Sequence, residues 1–438
     1  MNKKISLWIL LLLLWCSFII TLLFGWAVWH IKTIGPVINE RISSVIVSTA
    51  TLPSLVNETF HDLNGSKLLA PNLYPSVHGF KAERNYVDSN YILLPVYDKS
   101  VDQSVIKLVR LSDQKTIHQW KPDFDAIKKA IGDKKEYWQG SNKNSLPLIH
   151  PLLAPDGSII FHSFIGFPLI KINKDSKLVW TIPGIFDHAL EYDADGYIFV
   201  QSAIEHTRFL PNFLPNYLDD AIAKISPRGK VVFKKSIAEI LVENGYRALL
   251  LGTGIYENDV LHVNDIQPAL TSSKYWRKGD LLISIRHKSA VFLYRPATNK
   301  IIWLKVGPWV NQHDVDFVDS THISVFGNNT IRNVSNQPLD GHNEIYVYDF
   351  KTDSTLTPYT ECLKKARVST PSEGRSDILP GGDLFIEETN NNRLLRINTK
   401  DIIWQYVVPV DKNHVSALTW TRFITKDEFK KVTFLHEK

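Results

Sequence analysis

Asn173-Lys174-Asp175-Ser176-Lys177-Leu178-Val179-Trp180 reads as a polar turn followed by an apolar run that closes on an aromatic ring. The phrase recurs. It stands at Asp113-Gln114-Lys115-Thr116-Ile117-His118-Gln119-Trp120, at Ser226-Pro227-Arg228-Gly229-Lys230-Val231-Val232-Phe233 and at Pro296-Ala297-Thr298-Asn299-Lys300-Ile301-Ile302-Trp303. Asn398-Thr399-Lys400-Asp401-Ile402-Ile403-Trp404 is a fifth copy, and Asp349-Phe350-Lys351-Thr352-Asp353-Ser354-Thr355-Leu356 a looser sixth. Between them runs a second phrase, an Asp/Gly turn entering an apolar strand, at Ala154–Phe161, Asp193–Val200 and Pro380–Ile386. Repeats of about fifty residues with several short strands each are the signature of β-propeller blades. Six copies predict an all-β, six-bladed β-propeller. In such a ring the inner strands converge on a channel, so residues far apart in sequence can meet at its mouth. Helical inserts are expected at residues 123–135, 218–220 and 236–244.

Composition agrees. The 438 residues are 44% hydrophobic and 22% charged, with twelve Trp, sixteen Tyr and twenty-one Phe, which suits packed β structure. The net charge of +5 is small for the length, and no Lys/Arg run suggests a nucleic-acid partner. Cys16 lies in an apolar run and Cys362 in a polar one, so no disulfide between them is expected.

Residues 5–29 carry no charge and are rich in Leu, Ile, Phe and Trp, behind Lys3 and Lys4. A helix of that length spans a bilayer core of about 30 Å. Gly25-Trp26-Ala27-Val28-Trp29 makes a poor cleavage site, so an uncleaved single-pass transmembrane anchor is expected. The lysines place residues 1–4 in the cytoplasm and the bulk of the chain outside it, in the periplasm of a Gram-negative source. Residues 30–70 read as a juxtamembrane connector, in which 36–50 has near-helical apolar spacing or is irregular. Residues 71–438 read as the propeller.

The chemistry concentrates in Leu261-His262-Val263-Asn264-Asp265, in Ser284-Ile285-Arg286-His287, and in Asn311-Gln312-His313-Asp314, followed by Val325-Phe326-Gly327-Asn328. Together with Asp187-His188 these phrases resemble, in order, those of the bacterial arylsulfate sulfotransferase (ASST) family. The resemblance covers roughly residues 148–404 and points to a membrane-anchored, divergent branch. Where the family usually has Phe-Asp-Asn, this chain has Phe326-Gly327-Asn328.

The resemblance implies a six-bladed propeller that moves a sulfuryl group from an aryl sulfate donor to a phenolic or other hydroxyl acceptor. It implies no nucleotide sulfate donor and no cofactor. It makes His313 the nucleophile, forming a covalent sulfohistidine, with His188, His262 and Arg286 as its catalytic partners. The residue chemistry fits. A neutral imidazole is nucleophilic near pH 7, arginine offers a fixed fork to sulfate oxygens, and a second histidine can move the phenol's proton. On this reading His262 supplies that proton, and Gln312 or a nearby carbonyl fixes the tautomer of His313.

Asn264, Asn311 and Asn328 are candidate substrate-binding residues that could equally close turns. His150, His162, His206, His342 and His414 are left open as loop residues near the channel. Strand alternation would send His287 to the opposite face, in a structural role. No H-E-x-x-H, C-x-x-C or close His pair suggests a metal site. Two other functions stay compatible: a propeller that only binds a glycan or protein partner, and a hydrolase or lyase acting on an anion. Four positions kept in order favour transfer over mere binding.

Overall fold

The computed structural model describes residues 7–33, 42–43, 45–50, 68–77, 79–83, 86–132, 142–163, 167–204, 217–252, 259–331 and 337–432. The chain divides into two units, Met1–Ser66 and Lys67–Lys438. In the first, Leu7–Thr33 is one helix, and Leu7–Ile31 within it is long and apolar enough to cross a membrane. Of the amphipathic stretch 36–50, residues 42–43 and 45–50 are helical, while 36–41 and 44 lie outside the described residues.

The second unit is a six-bladed β-propeller. Four-stranded antiparallel blades occupy residues 149–182, 186–236, 263–306 and 315–356, numbered here as the second to fifth. The sixth, 375–406, gains a fifth strand from Phe80–Ala82 on its outer edge. The first blade is composite. Tyr91–Asp98, Gln103–Arg110 and Lys115–Trp120 are completed on the channel side by Arg422–Ile424, from the far end of the chain. That strand closes the ring.

Each of the six repeated phrases is the hairpin into a blade's fourth strand, outermost in the first five blades. Five of the six end on an aromatic ring, which packs on the next blade. Trp120 donates its indole N–H to Gly157 O at 2.9 Å, and Trp404 donates to Asp88 at 2.8 Å across the closure. Gly229 sits against Trp180, where a Cβ would come within 2.8 Å of the indole. Buried carboxylates staple the channel side. Asp265 accepts the Val315 N–H of the next blade at 3.1 Å, Asp314 that of Ser376 at 2.9 Å, and Glu387 that of Trp420 at 2.9 Å. Arg422 laces three blades, donating to Pro151 O at 2.8 Å, to Glu191 at 2.8 Å and to Leu190 O.

Two helical inserts stand where expected. Phe124–Ile131 is capped by Asp123, and Ile237–Glu243 by Ser236. Residues 218–220 do not form a third. Asp219–Ile225 is an interior strand, paired on both edges, and its polar entry misleads because Asp219 and Asp220 are buried acceptors for Ser236 and Gln201.

Candidate active site

Six left-handed residues, one per blade, ring the channel where the inner strands begin. They are Trp420, His150, His188, His262, Asn311 and Gly374, with φ of 66°, 47°, 52°, 52°, 49° and 112°. Positive φ in bulky residues is uncommon and costs energy. In the second, third and fourth blades the irregularity goes with a bulge near the start of the inner strand, which re-aims side chains. Three of the six ring positions are therefore histidines. Gly374 has no room for a side chain: a Cβ there would come within 2.5 Å of Thr370 and 2.9 Å of Phe326.

His313 stands two residues beyond Asn311 and is buried. Its Nδ1 lies 2.5 Å from Asn328 Oδ1. The orientation of that amide is set, because Asn328 Nδ2 donates to Thr370 O at 2.6 Å and Glu373 O at 2.7 Å. The oxygen must face His313, so Nδ1 carries the proton and Nε2 keeps its lone pair. Burial, then the charge of Arg286, holds the His313 pKa well below the usual imidazole value, against the Asn328 hydrogen bond. The result is a neutral imidazole with one tautomer.

Gln312 has a different task from the one expected. Its amide donates to Ser284 Oγ, Ile285 O and Ala290 O at 2.9–3.1 Å, bolting the His313 loop to the blade that carries Arg286. Asn264 donates to Gln312 O at 3.3 Å, and Asn311 to Thr330 O at 2.6 Å, so both are tied to backbone.

His188 and His262 complete the group. Their rings meet edge to face with centroids 5.2 Å apart, and His188 is 6.4 Å from His313. Each has a carboxylate. Asp187 Oδ2 lies 2.8 Å from His188 Nδ1, and Asp259 Oδ2 lies 2.6 Å from His262 Nδ1. Their environments push them apart. Burial opposes charge on His188, but Asp187, with help from Asp220 and Asp259, raises its pKa above the usual value. His262 goes down, because burial and the charge of His188 outweigh the Asp259 hydrogen bond. Asp220, buried and close to Asp259, is pushed up to about 8. Glu373, whose carbonyl holds Asn328, is pushed up to about 7 by burial and by Glu387.

His287 does not point away. Arg286–Lys288 is a single 3-10 turn beyond the strand end, so period-two alternation no longer applies, and the His287 ring stacks on His262 at 4.6 Å. His287 Nδ1 bonds Asp259 O at 2.9 Å, which leaves Nε2 to accept from Arg286 Nη1 at 3.3 Å. It steadies the guanidinium. The close histidine pair that spacing did not suggest is thus present. Asp259, His262 and His287 have donor atoms within 4.8 Å of one another. Their hydrogen bonds to each other and to Arg286 fit an orienting carboxylate better than a metal cage.

His150 and His162 join the mouth. The His150 ring stacks on Trp420 at 4.7 Å, and His162 Nε2 bonds the carbonyl of His188 at 2.7 Å. His342 bonds Asp340 O, and His414 pairs with Asp411 on the exposed surface. His206 lies outside the described residues. Sequence reading missed Asp259 and Trp420. The partial signal present, an acidic residue three after the ring position in four blades (Glu191, Asp265, Asp314 and Asp377), reaches neither: Asp259 precedes His262, and Phe423 stands three after Trp420.

The family described as arylsulfotransferase (ASST) matches residues 150–408. No curated protein matches the chain. Among solved structures, virginiamycin B lyase from Staphylococcus aureus is 10% identical, with a TM-score of 0.36 over 60% of this chain and 71% of that one. Hydrazine synthase from Kuenenia stuttgartiensis is 12% identical, with a TM-score of 0.39 over 73% and 80%. A functionally unknown protein from Desulfotomaculum acetoxidans is 9% identical, with a TM-score of 0.41 over 77% and 99%. Likeness at that level assigns nothing to this chain.

Proposed function

From the premise that the chain belongs to the arylsulfotransferase (ASST) family, we propose that it moves a sulfuryl group from an aryl sulfate to a phenolic or other hydroxyl acceptor through His313. The observation that carries this reading is the Asn328 amide, which leaves a neutral His313 with its Nε2 lone pair free to attack. As Nε2 bonds to sulfur, the bond from sulfur to the aryl oxygen breaks, and the electron pair leaves with that oxygen. Phenols leave readily because their pKa is near 10. The Arg286 guanidinium gathers the sulfate oxygens.

The opposite shifts of the two imidazoles favour His188 over His262 as proton source. Asp187 raises the His188 pKa while that of His262 is lowered, which makes His188 the readier acid; it protonates the departing phenoxide and later takes the proton of the incoming phenol. That phenol's oxygen then forms the new bond to sulfur as the bond to Nε2 breaks. His262, 5.2 Å away ring to ring and with its pKa lowered, lines the same pocket.

In the cell, residues 5–29 would anchor the protein in the cytoplasmic membrane with residues 1–4 inside. Residues 30–70 would connect that anchor to a propeller, 71–438, in the periplasm or outside the cell.

The test is a chromogenic aryl sulfate given to the full chain in detergent, with and without a phenol. Expected is stoichiometric labelling of His313 without acceptor, and turnover when a phenol is added. His313→Ala should abolish labelling and transfer together, and Arg286→Lys should slow both by about a hundredfold. A label on another residue, or transfer by His313→Ala at the original rate, removes the assignment. Absence of any label or turnover in the wild type would leave a binding propeller.

A further inference from the structure

The sixth blade brings no side chain to its ring position, since Gly374 has room for none, but it brings two carbonyls. The Asn328 amide that orients His313 donates to Thr370 O at 2.6 Å and to Glu373 O at 2.7 Å, both on the short loop that leads into the inner strand Arg375–Ile378. The amide keeps its oxygen on His313 only while those carbonyls stay in place. Turned over, that oxygen would face them and the amide N–H groups would face His313 Nδ1.

The two halves of the loop are held by different residues. Asn343 fixes Thr370, accepting its N–H at 2.6 Å and donating to its carbonyl at 3.0 Å, and Thr330 donates to Pro371 O at 2.8 Å. Ser372 and Glu373 depend on Asn390, in the 3-10 turn Thr389–Asn391 of the same blade. Asn390 Oδ1 accepts the Ser372 N–H at 3.0 Å and the Thr370 hydroxyl at 2.7 Å. A backbone N–H can only donate, so the Asn390 amide has one orientation, and its Nδ2 donates to Glu373 Oε2 at 2.9 Å. Among the described residues this is the only hydrogen bond to the Glu373 carboxyl.

Resting on the transfer reading above, we infer that Asn390 is a positioning residue for the transfer: it holds Ser372 and Glu373 so that the Glu373 carbonyl stays on Asn328, and through Asn328 it keeps the His313 proton on Nδ1. Loss of its bond to Glu373 leaves Asn328 with one secured carbonyl out of two. The preference for the productive tautomer then weakens, although every group that meets the substrate is still present. A reacting side chain is held to its working geometry by partners of this kind, one bond removed.

The experiment follows His313 labelling by rapid quench in the full chain in detergent, with one aryl sulfate donor and no acceptor. Asn390→Asp keeps the acceptor for Ser372 and Thr370 but turns a carboxylate toward Glu373 in place of the donor. At about pH 8 it should label about fivefold to tenfold more slowly than wild type, with the half-saturating donor concentration within about twofold. Going down to about pH 6 should shrink the difference, because two facing carboxylates share a proton. Glu373→Gln in the same chain reverses donor and acceptor and should bring the rate back to within about twofold of wild type. In an Asn328→Ala background, Asn390→Asp should slow labelling little further. A wild-type rate for Asn390→Asp, slowing that Glu373→Gln does not relieve, or effects that simply multiply with Asn328→Ala overturn the role. Should Asn390→Asp not fold, Glu373→Leu should label several-fold more slowly than Glu373→Gln, which loses the same charge but keeps an acceptor. Equal rates for those two overturn the role.

The tautomer is read separately, from ring-nitrogen NMR spectra of the full chain with isotope-labelled histidine, the His313 signals being those lost in His313→Gln. The wild type should carry its proton on Nδ1, and Asn390→Asp should show a mixture. A wild type with that single tautomer, lost in Asn390→Asp, that transfers nothing overturns the transfer reading and keeps Asn390 in its role. One that transfers, with a tautomer indifferent to Asn390→Asp, overturns the role alone.

Discussion

The imidazoles of His188 and His262 meet edge to face with centroids 5.2 Å apart, each against its own carboxylate, and are driven to opposite proton affinities. Two like groups in one pocket thereby become unlike. Such a split marks where acid and base work is divided.

Transfer should therefore have a two-sided pH dependence. His313 must be neutral, and its pKa is lowered, so kcat/KM rises on the acid side as pH passes that lowered value. His188 must be charged, and its pKa is raised, so activity falls on the alkaline side as pH passes above it. Asp187→Asn removes the charge that raises it. The alkaline limb should then move to lower pH while the acid limb stays, as measured by kcat/KM from pH 5 to pH 9. A limb that does not move would free His188 from the acid role.

Asn328 should matter through tautomer rather than contact with substrate. Asn328→Ala leaves His313 free to place its proton on either nitrogen, and Asn328→Leu does so at similar volume. Both should slow labelling of His313 by about tenfold to a hundredfold with little change in donor KM. Rapid-quench measurement of the label separates that from a binding defect.

Gly327 stands where the family usually carries Asp, and its space is already taken. A Cβ there would lie 2.6 Å from the Tyr346 ring and 2.8 Å from Asn329 Oδ1. Tyr346 in turn accepts from Asn329 at 2.8 Å. Gly327→Asp alone should cost about 1–3 kcal/mol of stability. Gly327→Asp with Tyr346→Ala should recover part of that loss, a coupling that thermal melts of the four proteins in the cycle would measure.

Anchoring is tested in cells. A reporter active only in the cytoplasm, fused after residue 438, should be silent, and one active only outside should work. The motivation is the uncharged helix Leu7–Ile31 behind Lys3 and Lys4. The reverse outcome inverts the topology.

Much of the fold was legible because the fourth strand of nearly every blade repeats the same problem, a turn and then an aromatic that must pack on the next blade. Trp120, Trp180, Trp303, Phe233 and Trp404 advertise it. Residues 218–220 were not legible, because buried acids at a strand entry resemble a polar loop. Within the site, the His188 ring lies 5.2 Å from that of His262 and 6.4 Å from that of His313, and Arg286 bonds His287, which stacks on His262. The partners that tune them come from other places. Asn328 ends a strand, and Asp259 precedes one. His287 escaped because a single 3-10 turn breaks the alternation on which face assignment rests.

The strand Arg422–Ile424, which completes the first blade, is the last of the propeller's strands to be synthesised. Until it arrives, Tyr91–Leu93 presents an unpaired, mostly apolar edge, open to any other extended chain. Biogenesis is therefore hazardous for most of the time the polypeptide takes to emerge. A cell producing this protein has reason to keep nascent copies apart. Premature termination anywhere before residue 422 should yield aggregates rather than a smaller working enzyme.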